Sequence, residues 1–273
     1  MVKTTAPTCG CPSRPTPKQA RGASMVEGSQ TALIPSRDGK TASRSGQRNA
    51  LGLLHGLPQH GGSCPSATLG SGGCLEVKPG RKLATCYVDS SAGRFPKVRE
   101  ILLKNLRALK AADPQEMEQM LYQEFLRFRT EELGRRAATA NPEMNYRIHW
   151  AGDFFSREYA AATRRAIERT PDDVMFWTYT RVPYAARILA GTKNLSLYLS
   201  LDLVNEGRML KLYEELKPSG NVSIAYMGKE PPPRESMPEK LVPCPVDEGK
   251  IALQYGCHRC KLCFKNKPIF FRT

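Results

Sequence analysis

The sequence predicts an α/β fold built on parallel strands, a partial (β/α) barrel, with a disordered N-terminal tail and a small C-terminal cysteine-rich metal-binding element. Three observations carry this. From Tyr146 onward, short apolar runs ending in Gly or polar residues alternate with helical segments. The first 60 of the 273 residues contain no Phe, Trp or Tyr. Seven of the nine cysteines fall into two sets, one ahead of the helices and one at the end of the chain.

Residues 1–60 are crowded with Ser, Thr, Pro, Gly and basic side chains, a composition that cannot bury enough apolar surface to offset its ordering entropy. The expected organisation is a disordered basic tail over 1–50, an α/β partial-barrel domain with an N-terminal cysteine loop over 51–228, and a linker with a cysteine-rich metal site over 229–273. Lys and Arg outnumber Asp and Glu by 41 to 26, for a formal net charge of +15. The tail contributes Lys3, Arg14, Lys18, Arg21, Arg37, Lys40, Arg44 and Arg48 against Glu27 and Asp38. A positive field favours polyanions, so nucleic acid is a candidate partner; solubility alone is the other reading. No run approaches the roughly 18 to 20 apolar residues of a membrane span, and no apolar signal core opens the chain, so a cytoplasmic protein without membrane contact is expected.

After a Gly-, Ser- and Cys-rich loop over 57–93, Val98, Ile101, Leu102, Leu106 and Leu109 recur at helical spacing. Met117, Met120, Leu121, Phe125 and Phe128 repeat the pattern, behind Asp113 as N-cap and Pro114 at the first helical position. Strands are expected over 146–151, 174–179, 195–203 and 221–227, with helices over 156–168, 183–189 and 208–216 between them. Strand, helix, strand at this pace implies parallel pairing through right-handed crossovers. Parallel α/β folds place their sites at the carboxyl ends of the strands, which here carry Gly152 and Asp153, Thr180 and Arg181, Ser200 and Asp202, and Gly228.

Disulfides do not suit a cytoplasmic chain, whereas clustered thiols there bind metal. The terminal set is Cys257-His258-Arg259-Cys260-Lys261-Leu262-Cys263 with Cys244 further back. Two-residue gaps let neighbouring thiolates converge, and four thiolates satisfy either tetrahedral zinc or a second iron–sulfur cluster. The first set, Cys64, Cys74 and Cys86, offers three thiolates at wider gaps. Three cysteines leave one iron of a 4Fe-4S cluster open to a substrate or cofactor. The alternative is structural zinc completed by His55 or His60.

Several segments combine into a resemblance: Cys64-Pro65-Ser66-Ala67, Cys86-Tyr87, Phe95-Pro96-Lys97-Val98-Arg99 with Asn105, Arg147-Ile148-His149-Trp150-Ala151-Gly152-Asp153-Phe154-Phe155-Ser156, and Phe176-Trp177-Thr178-Tyr179-Thr180-Arg181. Over about residues 50–270 the chain resembles the gene-product-88 family of bacteriophage and plasmid proteins, which is distantly similar to radical S-adenosylmethionine proteins. The resemblance implies a 4Fe-4S cluster on Cys64, Cys74 and Cys86 that binds S-adenosylmethionine and yields a 5′-deoxyadenosyl radical, with an electron donor as partner and an unknown substrate. It places Gly152 and Asp153 at the methionine ammonium, and Ser200 or Asp202 at the ribose. Arg181, beside Thr180 at a strand end, would hold the methionine carboxylate or a substrate phosphate. The rival reading is a non-catalytic, zinc-stabilised phage protein that binds nucleic acid through its basic tail.

Overall fold

Apolar side chains every three or four positions give two helices at the expected places. In the computed structural model, which describes residues 32–37, 47–67, 74, 86, 88, 95–136, 144–252 and 256–272, α1 (Pro96–Ala111) starts on a proline and buries Leu102, Asn105, Leu106 and Leu109. The second, α2 (Pro114–Arg136), is capped by Asp113. The Asp113 carboxylate accepts from the amides of Gln115 and Glu116 at 2.8 and 2.9 Å, and Glu116 accepts from the Asp113 amide at 2.9 Å. This reciprocal box satisfies donors that a helix start leaves open. Phe125 and Phe128 of α2 then pack edge-on against Tyr146, with ring centroids 5.3 and 5.2 Å apart.

The alternating half follows in order: β1 (Asn145–Ile148), α3 (Arg157–Arg169), β2 (Met175–Thr180), α4 (Pro183–Leu189), β3 (Leu195–Leu201), α5 (Glu206–Leu216) and β4 (Val222–Gly228). Two short strands and a one-turn helix end the chain: β5 (Val242–Pro243), α6 (Gly256–Cys260) and β6 (Ile269–Arg272). The six strands form one open sheet in the order β1-β2-β3-β4-β6-β5, and every pairing is parallel. The cysteine-rich end is therefore no separate appendage behind a linker. Its strand β6 lies between β4 and β5 in the main sheet.

The two faces of the sheet are used differently. Tyr146, Ile148, Phe176, Leu197, Leu199, Ile224 and Phe270 point one way, into the main core with the helices. Trp177, Tyr198, Ala225 and Ile269 point the other way and pack with Cys244, Cys257 and Cys263. A parallel sheet needs both faces covered. Helices cover the first, and the C-terminal segment covers the second. The Tyr198 hydroxyl fastens that segment by donating to Lys267 O at 2.9 Å, and Ser196 Oγ donates to Phe264 O at 3.3 Å.

Ordered structure also begins earlier than residue 51. Residues 49–53 run parallel to β1 along the edge opposite β2: Arg147 N donates to Asn49 O at 2.9 Å, Leu51 N to Arg147 O at 3.0 Å, and Trp150 N to Leu51 O at 3.0 Å. Ser36 bridges Ala50 in turn. Asn105 of α1 holds the same segment, accepting from Ile34 N at 2.8 Å and donating to Ile34 O at 2.9 Å. Leu33 and Ala50, read as tail from composition, are buried core residues. Among the described residues no helix is long and apolar enough to cross a membrane.

Candidate functional site

The turn after β1 is a close approach of three chain segments. His149 takes a left-handed backbone (φ 60°), and Gly152 does so at φ 84°. A Cβ on Gly152 would stand 2.5 Å from Ser63 Oγ and 2.8 Å from Leu53 Cβ, so only glycine fits. Ser63 Oγ donates to Leu54 O at 2.8 Å and accepts from Asp153 N at 3.3 Å, which ties the cysteine loop to the turn. The Asp153 carboxylate then reaches the end of β2. Its Oδ1 accepts from Thr180 Oγ1 at 2.7 Å and Phe154 N at 2.8 Å, and its Oδ2 from Arg181 N at 3.0 Å. Burial raises this carboxyl to about 6 despite those three donors.

This turn forms part of the wall of a cavity of about 430 Å³. All seven clustered cysteines line it: Cys64, Cys74 and Cys86 from the segment ahead of α1, and Cys244, Cys257, Cys260 and Cys263 from the C-terminal segment. Gly152, Asp153, Thr180, Arg181 and Ser200 line it too. The sequence suggests two separate centres; the fold gives the two sets one shared space. The reason is β6, which carries the terminal set back across the inner face of the sheet. None of the seven is in a disulfide. Burial, followed by the Asp153 and Cys74 charges, pushes Cys64 up to about 12, and a hydrogen bond with Cys86 ahead of burial raises Cys74. Buried thiols of this kind become thiolates when a metal replaces the proton. Among the described residues no three His, Cys, Asp or Glu side chains stand close enough to make a closed metal site. The ligand chemistry surrounds the space without a formed coordination sphere.

Other site residues expected from the sequence sort differently. Asp202 is not among the residues lining the cavity: its Oδ2 accepts from Arg181 Nη2 at 3.0 Å, and its Oδ1 from Val204 N at 3.1 Å. It therefore fixes Arg181, which does line the cavity. His55 lines the cavity as well, whereas His60 is exposed.

Four side chains that line the cavity carry no site role in the sequence reading. His149 is buried, with Nε2 2.8 Å from the Tyr159 hydroxyl and Nδ1 without a partner among the described residues. Burial, then the charge of Arg147, lowers it to about 3, so it is neutral. Arg147, Trp177 and Tyr179 complete the wall beside the terminal cysteines, with the Tyr179 hydroxyl 3.2 Å from Cys263 Sγ. For Arg147, Trp177 and Tyr179 the signal was present as a period of two along the strands, which puts 177 and 179 on one face with 147 as the register partner of 177; His149 lies past the end of β1 in a left-handed turn that no strand period marks.

A family model described as Gene product 88 matches residues 27–266. The chain belongs to the Gene product 88 family. Gene 88 protein of Mycobacterium phage L5 is 34% identical over 239 residues, covering 84% of this chain and 88% of the relative. Gene 88 protein of Mycobacterium phage D29 is 34% identical over 240 residues, with the same coverage. No solved structure matches the chain. In this Gene product 88 protein the matched span holds both cysteine sets, the 147–156 turn segment and the whole sheet up to the start of β6. The arginines of helix α3 in the same span are engaged in ion pairs: Arg164 pairs with Glu168 at 2.8 Å, and Arg165 and Arg169 both pair with Glu118 of α2 at 2.6 Å.

Proposed function

We propose that this Gene product 88 protein is a radical S-adenosylmethionine-like iron–sulfur protein acting on a small substrate inside its cavity. The observation that carries the reading is the convergence of seven cysteines, none of them in a disulfide, on one cavity beside an all-parallel sheet and the Gly152–Asp153 turn. The open sheet, with helices on one face and the cavity on the other, suits a partial (β/α) barrel. Cys64, Cys74 and Cys86 would hold the first cluster and leave one iron open. Cys244, Cys257, Cys260 and Cys263 would hold the second. When bound, a reduced cluster and S-adenosylmethionine supply a 5′-deoxyadenosyl radical.

The chain's own residues position and shield. Asp153 Oδ2 has one internal donor and retains an acceptor site for an ammonium group. Arg181, clamped by Asp202, presents a fixed guanidinium to a carboxylate or phosphate. Ser200 offers a hydroxyl from the end of β3. A cavity of this size suits a small molecule, not a duplex.

The test is anaerobic reconstitution, iron and sulfide analysis, and calorimetric titration with S-adenosylmethionine. Iron and sulfide sufficient for two clusters, with binding of one S-adenosylmethionine per chain, is the expected result. A colourless zinc protein, or an iron–sulfur protein that ignores S-adenosylmethionine, would overturn the reading.

A further inference from the structure

The two cysteine sets share a cavity but meet different side chains. Ser63 Oγ stands 4.0 Å from Cys64 Sγ and accepts from Asp153 N at 3.3 Å, which brings the Asp153 carboxylate into the wall beside the first set. Arg181 lines the same wall, held in an ion pair by Asp202 at 3.0 Å. On this side a carboxylate and an ion pair line the cavity beside the thiols.

The terminal set meets donors. Arg147 of β1 and Trp177 of β2 are register partners, and Tyr179 lies two positions on, so all three project from the same face. The Arg147 guanidinium sits 5.0 Å from the Trp177 ring centroid and 5.6 Å from that of Tyr179. The Tyr179 hydroxyl is 3.2 Å from Cys263 Sγ. A phenol carries a proton that it can donate to such a sulfur. Trp177 packs in one cluster with Cys244, Cys257 and Cys263, and its Nε1 is buried with no acceptor among the described residues. An indole nitrogen only donates, and a buried donor left unmet is costly.

A guanidinium, a phenol and an indole N–H suit thiolate and sulfide, which carry negative charge and lone pairs. Hydrogen bonds and positive charge beside an iron–sulfur centre favour its reduced, more negative state; a nearby carboxylate opposes it. We infer that Arg147, Trp177 and Tyr179 form a donor wall that gives the terminal cysteine centre the higher reduction potential of the two, making it the one-electron acceptor inside the cavity. This rests on the reading above that both sets hold iron–sulfur clusters. Electron transfer from the first centre to the second is then downhill: the first is oxidised by one electron, the second reduced by one, with no other co-reactant. The terminal set thus has a redox role beyond covering the sheet.

The experiment is a redox titration of the full chain, reconstituted anaerobically and followed by absorption and electron paramagnetic resonance with dithionite as reductant. Two midpoints are expected, the higher one lost in the Cys257→Ala, Cys260→Ala double variant. Tyr179→Phe and Arg147→Met should each lower that midpoint by at least a tenfold change in the reduction equilibrium, about 59 mV for one electron. Iron content and the lower midpoint should not move. Tyr179→Phe removes a single hydroxyl and decides the matter by itself if Arg147→Met loses iron. Zinc at the terminal set, the higher midpoint belonging to the first set, or no shift in Tyr179→Phe would each overturn the inference. Failure to bind S-adenosylmethionine would sink the enzymatic reading while leaving these potentials measurable, so the two failures are separate.

Discussion

The Thr180 hydroxyl donates to Asp153 Oδ1 at 2.7 Å, joining the end of β2 to the turn after β1. Phe154 N and Arg181 N complete the set, so Asp153 is a structural tie as well as a cavity residue. An ordinary turn aspartate would tolerate Asn with little loss. Here an Asn carbonyl could keep two donors, but its amide would face the Arg181 N–H, donor against donor. Asp153→Asn should therefore lower stability by about 1 to 3 kcal/mol, measured by urea unfolding at low pH.

The same carboxyl makes a pH prediction. Burial raises its folded value from 3.8 to about 6, so its stabilising contribution is full below the unfolded value and is lost as pH rises through the folded one. Stability should fall between about pH 4 and 6 by an amount on the order of 3 kcal/mol, and this slope should be missing in Asp153→Asn. Unfolding curves across that window check it. If the proposed function holds, the variant should also bind S-adenosylmethionine about ten- to a hundred-fold more weakly.

Gly152→Ala should be more damaging than any nearby surface change. Its φ of 84° disfavours a side chain, and the new methyl would meet Ser63 Oγ, Leu53 Cβ and the Leu53 carbonyl within 2.9 Å. Backbone strain and overpacking together should cost about 2 to 4 kcal/mol in chemical unfolding. A shift below 1 kcal/mol would mean that the cysteine loop moves freely away from the turn.

The helices and the first four strands were legible because their periods are clean: Leu102, Leu106 and Leu109 at helical spacing, and apolar runs such as 195–201. Strands β5 and β6 were not, since Val242–Pro243 is two residues long and Ile269–Arg272 is four, ending in a charge. Residues 49–53 were lost in a polar neighbourhood whose composition masks a single buried strand-like run. Gly152, Asp153, Thr180 and Arg181 could be placed at strand ends from order alone. The merging of the two cysteine sets could not, because it depends on β6 entering between β4 and β5.

Replacing Cys64, Cys74 and Cys86 together with Ala should leave the fold intact, because Cys86 is a single small member of the helix-side core, Cys74 only packs against it, and the rest of that core comes from strand and helix side chains. Far-ultraviolet circular dichroism and the urea midpoint should stay close to the parent's. Metal bound per chain should fall, with the remainder held by the terminal set. Loss of all metal would mean that the shared cavity holds one centre requiring ligands from both sets.

Truncation separates composition from contact at the N-terminus. Removing residues 1–30 deletes the aromatic-free basic stretch that precedes the first described contacts, and the melting temperature should stay within about 2 °C of the parent. Removing residues 1–50 is a different operation. It strips buried Leu33 and Ala50, both hydrogen bonds between Asn105 and Ile34, and the bond from Arg147 N to Asn49 O. Asn105 is itself 1% exposed, so its amide would lose those partners inside the protein. Burial of two apolar side chains and several buried hydrogen bonds amounts to at least about 3 kcal/mol. For a domain of this size that is a fall of roughly 6 to 12 °C. Equal melting temperatures for the two truncations would show that residues 32–37 and 47–50 contribute nothing, and the composition-based boundary at residue 51 would stand.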